Sequence, residues 1–467
     1  MNKFFTQSPN IKKEYCCTIV KISDVTPIEG SDFLSTTLVN GFPVVVRRDQ
    51  VKSGDLLFYV ANECQLSEDF CRENNLYDDR ELNKDKEKKG YLNKYGRVRI
   101  VKLRGQASMG LLISKEDMMN YIKEDFTKEM KEGLEFDMIQ DKLFVKAFVP
   151  PVKHEDRQKT NKRNNKLPLF DRMIPGEFSF HYDTDQLEKN ITSFKPDDEV
   201  TISVKLHGTS AIIGNIRTRE PKWNNSLYIK YFNYLPKFLQ FTKERYDYVC
   251  SSRSVIIDGK ISPSGQEKPL GDVQKMIYQY KELISSQDIL NPGMTIYGEI
   301  IGYYPNSNTA IQSIGGKAYD YGCKRGENKL MIYRITTHLS DDTHYEWDVN
   351  EIREWTYHML AEHPDLSNKI HPIDVLYIGS LRDLYPKLDT SNHWHESLLE
   401  NLKNDKVFDM EDNEPLCHNA VPREGLVIRK NRDIVKEAFK LKCMKFRFKE
   451  AEDIDKGKVD VETSQAY

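Results

Sequence analysis

Thr201-Ile202-Ser203-Val204-Lys205-Leu206-His207-Gly208-Thr209-Ser210 is the segment of this chain with the most chemistry in it. Strand alternation puts Ile202, Val204 and Leu206 on one face and Ser203, Lys205 and His207 on the other. Lys205 then stands at a strand end, before a Gly-Thr-Ser turn, placed to reach into a cleft. A lysine attacks only when deprotonated, so desolvation or neighbouring cations must lower its pKa. Read alone, the segment fits an ordinary edge lysine better. Three later segments change the weighting. Ile296-Tyr297-Gly298-Glu299-Ile300 holds one carboxylate in an apolar strand, and Glu424 directly precedes the apolar run Gly425 to Ile428. Buried acids cost free energy unless they bind a metal, a cation or a hydroxyl. Phe439-Lys440-Leu441-Lys442-Cys443 sets two lysines on one strand face, where they repel unless an anion such as a phosphate chain lies between them.

That ordered set resembles the covalent nucleotidyltransferase superfamily of ATP-dependent ligases and capping enzymes. Lys205-Leu206-His207-Gly208 is similar to the nucleophile motif, in the histidine form found in some RNA ligases. Ser252-Arg253, Tyr297-Gly298-Glu299, Met331-Ile332-Tyr333-Arg334, Glu424-Gly425 and Lys440-Leu441-Lys442 resemble the remaining five motifs, in the family's order. Val204 stands where many members have Glu, His207 where many have Asp, and Ser210 where some RNA ligases have Asn. Val204 suits adenine recognition through the backbone carbonyl; if the side chain does the reading, nucleotide preference stays open.

The resemblance implies three steps. Lys205 attacks the α-phosphorus of ATP, AMP passes to a 5'-phosphate end, and a 3'-hydroxyl then seals the strand and releases AMP. It implies that Lys440 and Lys442 offset charge at the α-phosphate, that Glu424 holds a divalent Mg or Mn ion, and that Glu299 accepts from the ribose. Tyr333 would stack on adenine, Arg253 would contact ribose or the polynucleotide end, and His207 and Gly208 would complete the ATP site. The implied partner is RNA or an RNA-containing nicked duplex, and nick repair the implied task. A capping-type nucleotidyltransferase, told apart by GTP preference, and a non-catalytic RNA-binding relic are the alternatives. Only 25 residues follow Lys442, too few for the C-terminal OB domain of DNA ligases and capping enzymes. The relic would have no need of Lys205, Glu299, Glu424, Lys440 and Lys442 together.

The elements that must position these groups read as α+β. Residues 1–145 are mainly short strands: Tyr15 to Ile22, a Leu38 to Val46 hairpin turning at Asn40-Gly41, Leu56 to Val60, and Gly110 to Ile113. Five or so such strands suggest a small OB-like barrel, with a helix from Lys115 to about Glu132 plugging one end. The segment from Val101 to Leu111 is similar to the N-terminal domain of RNA ligases of the Deinococcus and Naegleria type. A bulge at Ile100-Val101 would bring Arg97, Arg99, Lys102 and Arg104 together as a phosphate-tracking surface; surface cations without a ligand are the other reading. Residues 146–175 read as a basic linker, with eight Lys or Arg against three acids between Lys146 and Arg172. Residues 176–449 then carry the six motifs on antiparallel sheets. Val200 to Leu206, Thr295 to Ile301, Lys329 to Thr336 and Gly425 to Arg429 read as strands; Leu270 to Ile284 and Asn350 to Glu362 read as helices. Lys222 to Tyr248, rich in Lys, Tyr and Phe, fits either a base-stacking surface or a helical hairpin with a solvated face. Residues 450–467, with six acids and two lysines, read as a loose tail.

Composition bounds these readings. With 467 residues, 39% hydrophobic and 30% charged, the chain has material for two or three cores. A net charge of -3 excludes a bulk polycation, so any phosphate-binding surface is local. No apolar run approaches the roughly 18 residues of a membrane helix, and no glycine-rich phosphate loop or CxxC occurs. The eight cysteines are expected as free, mostly buried thiols in a reducing cytosol, and the protein as a cytoplasmic monomer. His393 and His395 flank Trp394 without a third ligand and are expected to be structural.

Overall fold

The computed structural model describes residues 3–9, 11, 13–150, 170–181, 184–223, 226–261, 271–339, 343–388, 393–431 and 437–457. Its N-terminal unit is built on a four-stranded sheet in the order Leu111–Ile113, Leu56–Val60, Cys17–Lys21 and Glu135–Phe136. A second, three-stranded sheet contains the hairpin Leu34–Val39 and Phe42–Arg47. Its turn is Asn40-Gly41, both at positive φ, as the two-residue turn requires. Phe5, Phe58, Phe126 and Phe136 stack at centroid distances of 4.6 to 6.2 Å and form the centre of this core. The helix Lys115–Ile122 starts on a Ser114–Asp117 capping box and stops at Lys123 in the left-handed region, well short of Glu132.

Two larger sheets follow. One has five strands, in which Glu199–Lys205 lies between Gly425–Lys430 and Val375–Ser380, with Ala438–Lys442 beyond Gly425–Lys430. The other is six-stranded, with Thr209–Pro221, Met294–Gly302 and Asn328–His338 at its centre. Both are mainly antiparallel; parallel pairing is confined to two short edge strands, Asp185–Gln186 and Ile370–Pro372. Each sheet covers one face with helices. Ile202, Val204, Leu426, Ile428 and Leu441 pack with Leu398 and Leu402 of the helix Trp394–Asn404 and Phe446 of the helix Met444–Asp455. Ile213, Ile296, Ile300 and Ile332 pack with the helices Asp272–Ser285 and Val349–Glu362. The faces opposite these cores carry the polar residues of the motifs.

Several expectations need correcting. Residues 450–455 are not loose tail: they complete the helix Met444–Asp455, and Asp453 accepts from the Gly315 amide at 2.8 Å. The rest of the expected tail, from 458, and the linker stretch 151–169 lie outside the described residues. Lys222 to Tyr248 is not a helical hairpin. The strands Thr209–Pro221 and Thr242–Ser251 pair from Ile212–Ser251 to Pro221–Thr242, and the helix Ser226–Tyr231 sits only at the tip. All eight cysteines are free and seven are buried. Among the described residues no helix is long and apolar enough to cross a membrane.

Candidate active site

The faces left open by the two sheets enclose a cleft of about 310 Å³ lined by Lys205, His207, Gly208, Arg253, Glu299, Tyr333, Glu424, Lys440 and Lys442. Every residue the sequence placed in a nucleotide or metal site is in that one cleft. Alternation explains the first of them. Ile202 and Val204 are buried in the helix-side core, so Ser203 and Lys205 must face the other way. Register brings Glu424 to Lys205, because Lys205 pairs with Gly425 across the sheet. The Lys205 Nζ lies 2.7 Å from Glu424 Oε1, and Lys442 Nζ lies 3.9 Å from the same oxygen. A Cβ on Gly425 would meet the Leu441 carbonyl oxygen at 2.0 Å, so this close approach of strands requires glycine.

Burial pushes the Lys205 amine down, but Glu424, with Glu299, holds it above the ordinary lysine value. The free site thus keeps Lys205 charged, contrary to the lowered pKa that nucleophilic attack demands. Glu424 is the counterpart: burial would raise its carboxyl, and Lys205, then His207 and Lys442, hold it below the ordinary glutamate value. Burial would likewise lower Lys442, while Glu450 at 2.9 Å and Glu424 hold it up. Glu424 Oε2 is buried and accepts no hydrogen bond among the described residues.

His207 is fixed edge-on by two rings, Tyr319 and Phe446, each with its centroid at 5.0 Å. Its amide donates to the Tyr321 hydroxyl at 2.8 Å, and its Nδ1 stands 3.7 Å from Glu424 Oε2. The next residue is locked from both sides: the Gly208 amide donates to Glu299 Oε1 at 3.0 Å, and its carbonyl accepts from Gln312 Nε2 at 2.8 Å. A Cβ there would meet the Ile300 carbonyl oxygen at 2.4 Å.

Tyr333 is placed by a β-bulge. The register runs Gly298 to Ile332 and then Tyr297 to Arg334, leaving Tyr333 as the extra residue. Leu330, Ile332 and Ile335 all enter the helix-side core, so the alternation slips by one at Tyr333. Its ring is thereby turned into the cleft, edge-on to His181 at 5.4 Å. Arg334 beside it stacks on Tyr297 at 4.3 Å and pairs with Glu346 at 2.9 Å, a structural role.

Sequence reasoning missed several members. Glu14 and Tyr15 come from the N-terminal unit: Tyr15 lines the cleft, and Glu14 Oε2 stands 3.7 Å from Lys440 Nζ. His181, Gln312, Arg429 and Glu450 also line it. None carries a local signal, except that Arg429 follows the Glu424 strand in alternation.

The four cations of the N-terminal unit do not form one surface. Arg97 is 1% exposed and pairs with Glu63 and with Asp455, each at 2.7 Å. Arg99 also reaches Asp455, at 3.2 Å. No bulge aligns them, because the strand starts only at Val101 and Ile100 is buried with Phe42, Met109 and Ala451. Arg97 thus ties the N-terminal unit to the last helix, while Lys102 and Arg104 sit exposed at a separate hairpin whose turn is Arg104-Gly105.

Residues 198–449 match the family model described as RNA ligase, which is more than half of the chain. The chain belongs to the RNA ligase family. Residues 16–115 of this RNA ligase match an OB-fold domain model. No curated protein matches it in sequence. Among solved structures it is similar to Naegleria gruberi RNA ligase in three states. A lysine-to-alanine mutant with ATP and Mn aligns at TM-score 0.53 and 16% identity, over 94% of this chain and 98% of that one. A form with AMP and Mn aligns at TM-score 0.51 and 16% identity, over 93% and 98%. A form with PPi aligns at TM-score 0.50 and 17% identity, over 92% and 97%. At such identities the likeness is one of fold: an N-terminal OB domain followed by a nucleotidyltransferase domain.

Proposed function

We propose that this RNA ligase uses ATP to join a 3'-hydroxyl to a 5'-phosphate end through AMP carried on Lys205, with repair of nicks as its task. The observation that carries the reading is the Lys205–Glu424 contact in a cleft that also holds Lys440, Lys442 and Tyr333. Tyr333 offers an aromatic face to adenine, and Glu299, which accepts from the Gly208 amide, is assigned to the ribose. Lys440 and Lys442 supply fixed positive charge where negative charge develops at the α-phosphate. Arg253, at the cleft wall, is assigned to the ribose or the polynucleotide end.

A divalent metal fits Glu424, whose buried Oε2 has no hydrogen-bond donor among the described residues. Among the described residues no group of three His, Cys, Asp or Glu could hold an ion, so phosphate and water would complete the coordination. A bound Mg or Mn would polarise the phosphate and offset the Glu424 charge, letting burial draw Lys205 toward its neutral form. The amine then attacks the α-phosphorus, a phosphoramidate bond forms, and pyrophosphate leaves. The two remaining steps transfer AMP to the 5'-phosphate and displace it with the 3'-hydroxyl.

The test is label transfer. Purified protein is incubated with α-labelled ATP or GTP and a divalent metal, then denatured. Label from ATP that vanishes in Lys205→Ala is the expected result, followed by sealing of nicked RNA. Label from GTP alone would indicate capping chemistry, and label from neither would remove the enzyme reading.

A further inference from the structure

The hairpin Thr209–Pro221 and Thr242–Ser251 outgrows its sheet. Only Thr209 to Gly214 pairs with the Glu299 strand; from Asn215 onward the two arms pair with each other as a ribbon, flanked near Thr218 and Arg219 by the short segment at Arg172 and Met173. The 22 residues from Lys222 to Lys243 contain four lysines, seven aromatic rings and no Asp or Glu. In a chain of net charge -3 and 11% aromatic content, that is a sharp local departure.

The tip is a folded platform. Trp223 is held edge-on between Tyr228 at 5.0 Å and Phe241 at 5.3 Å. The Tyr228 hydroxyl accepts from the Phe241 amide and donates to the Leu239 carbonyl, both at 2.8 Å. On this base Phe238 is 74% and Tyr234 63% exposed, with Lys237 exposed beside them. Large rings left in water at this density mark a contact surface. Protein interfaces are depleted in lysine, whereas the exposed Lys222 and Lys237 among aromatic rings, with Lys243 held by Glu220 at 2.8 Å, suit a polyanion with π faces. Bases stacked within a duplex do not offer those faces, so the complementary partner is a single strand.

We propose that the ribbon tip is a second docking surface for an unpaired stretch of the RNA substrate. Tyr234 and Phe238 stack bases, and Lys222 and Lys237 meet phosphates. The ligase reading is needed here only to name the nucleic acid as RNA. The arm starts at Thr209, next to the nucleophile segment, and runs 13 residues. At about 3.3 Å per residue the tip lies up to about 40 Å along the arm from the cleft. That corresponds to about a dozen nucleotides at 3.4 Å each, so the surface would engage RNA well away from the junction.

The test measures binding of the full chain, without ATP, to labelled unpaired RNA of about 25 nucleotides and to a blunt duplex of equal length. The single strand is expected to bind more tightly. Phe238→Ala with Tyr234→Ala should weaken it about 5- to 100-fold while leaving the duplex within about twofold. Lys237→Glu with Lys222→Glu should weaken it and flatten its salt dependence. Tyr234 and Phe238 bury little, and melting curves check that each variant is folded; either single variant serves if the pair fails. Unchanged single-strand affinity in the aromatic variants, or equal loss on duplex, overturns the proposal. Wild-type self-labelling from ATP is read alongside. Labelling without tip-dependent binding removes the docking surface and keeps the ligase reading; tip-dependent binding without labelling does the reverse.

Discussion

Glu424 Oε1 stands 2.7 Å from Lys205 Nζ, and the pair holds both groups charged, a state that the proposed attack by Lys205 cannot use. Glu424→Gln removes the charge that keeps the Lys205 amine high and leaves burial, which acts in the opposite direction. The amine should therefore become reactive at lower pH in the variant. The measurement is the pH midpoint of Lys205 modification by an amine-directed reagent, without ATP or metal, followed by mass spectrometry. A midpoint that stays put or rises would show that Glu424 does not set the protonation of Lys205. Adenylylation itself should still fall in the variant, because the oxygen assigned to the metal is lost.

The two signs also fix how this pair acts on stability. Glu424, held low, contributes above its unfolded pKa, and that part is lost as pH falls through the folded value. Lys205, held high, contributes below its unfolded pKa, and that part is lost as pH rises through the folded value. Denaturant midpoints should therefore be flat near neutrality in the wild type and fall at both extremes. In Glu424→Gln the acid-side fall should shrink. An unchanged acid limb would mean other carboxylates dominate.

Tyr333 owes its place to a bulge, so its ring and its hydroxyl can be separated. Tyr333→Phe keeps the ring and should bind ATP as the wild type does. Tyr333→Ala should raise the ATP concentration for half-maximal self-labelling about 5- to 100-fold, the range of one base–aromatic stack. Equal behaviour of Ala and wild type would take Tyr333 out of the adenine site.

What the sequence made legible follows from range. Ser203 and Lys205 were readable because two-residue alternation acts within one strand, and Lys440 and Lys442 for the same reason, whereas His207 lies two residues past the strand end. Tyr15, Gln312 and Glu450, and Glu14 beside Lys440, were not, because they reach the cleft or its lysine through contacts far apart in sequence. Bulges show the same limit. Adjacent apolar residues at Ile100-Val101 suggested one that does not form, since Ile100 is drawn into a core between the N-terminal unit and the last helix. The bulge that does form, at Tyr333, sits where Ile332, Tyr333 and Arg334 give no break in strand character. Acidic composition at 450–455 likewise concealed a helix whose acids are spent on Lys442, Gly315, Arg97 and Arg99.

Arg97 is a structural cation, whereas Lys102 is an exposed one. Removing it leaves Glu63 and Asp455 facing each other across the join between the N-terminal unit and the last helix. Arg97→Ala should cost about 3 kcal/mol in denaturant unfolding, as expected when one partner of a buried pair is deleted. Lys102→Ala, at an exposed position, should cost less than about 0.5 kcal/mol. A stability loss for Lys102→Ala comparable with that for Arg97→Ala would contradict this division.

Lys440 and Lys442 lie on one strand face, yet their neighbours differ. Lys442 is clamped by Glu450 at 2.9 Å and is drawn toward Glu424, whereas Lys440 has Glu14 of the N-terminal unit 3.7 Å away. A cation held in place before charge develops stabilises a transition state more than one that must first move. Lys442→Met should therefore lower the rate of self-labelling about 100- to 1,000-fold at saturating ATP. Lys440→Met should act mainly on the ATP concentration required, and Glu14→Gln should change the same quantity, because it alters the charge beside Lys440. Rapid-quench label transfer across ATP concentrations separates rate from affinity. Equal losses of rate for the two lysine variants would show that the Glu450 clamp gives Lys442 no advantage, and a Glu14→Gln protein identical to wild type would remove the N-terminal unit from the nucleotide site.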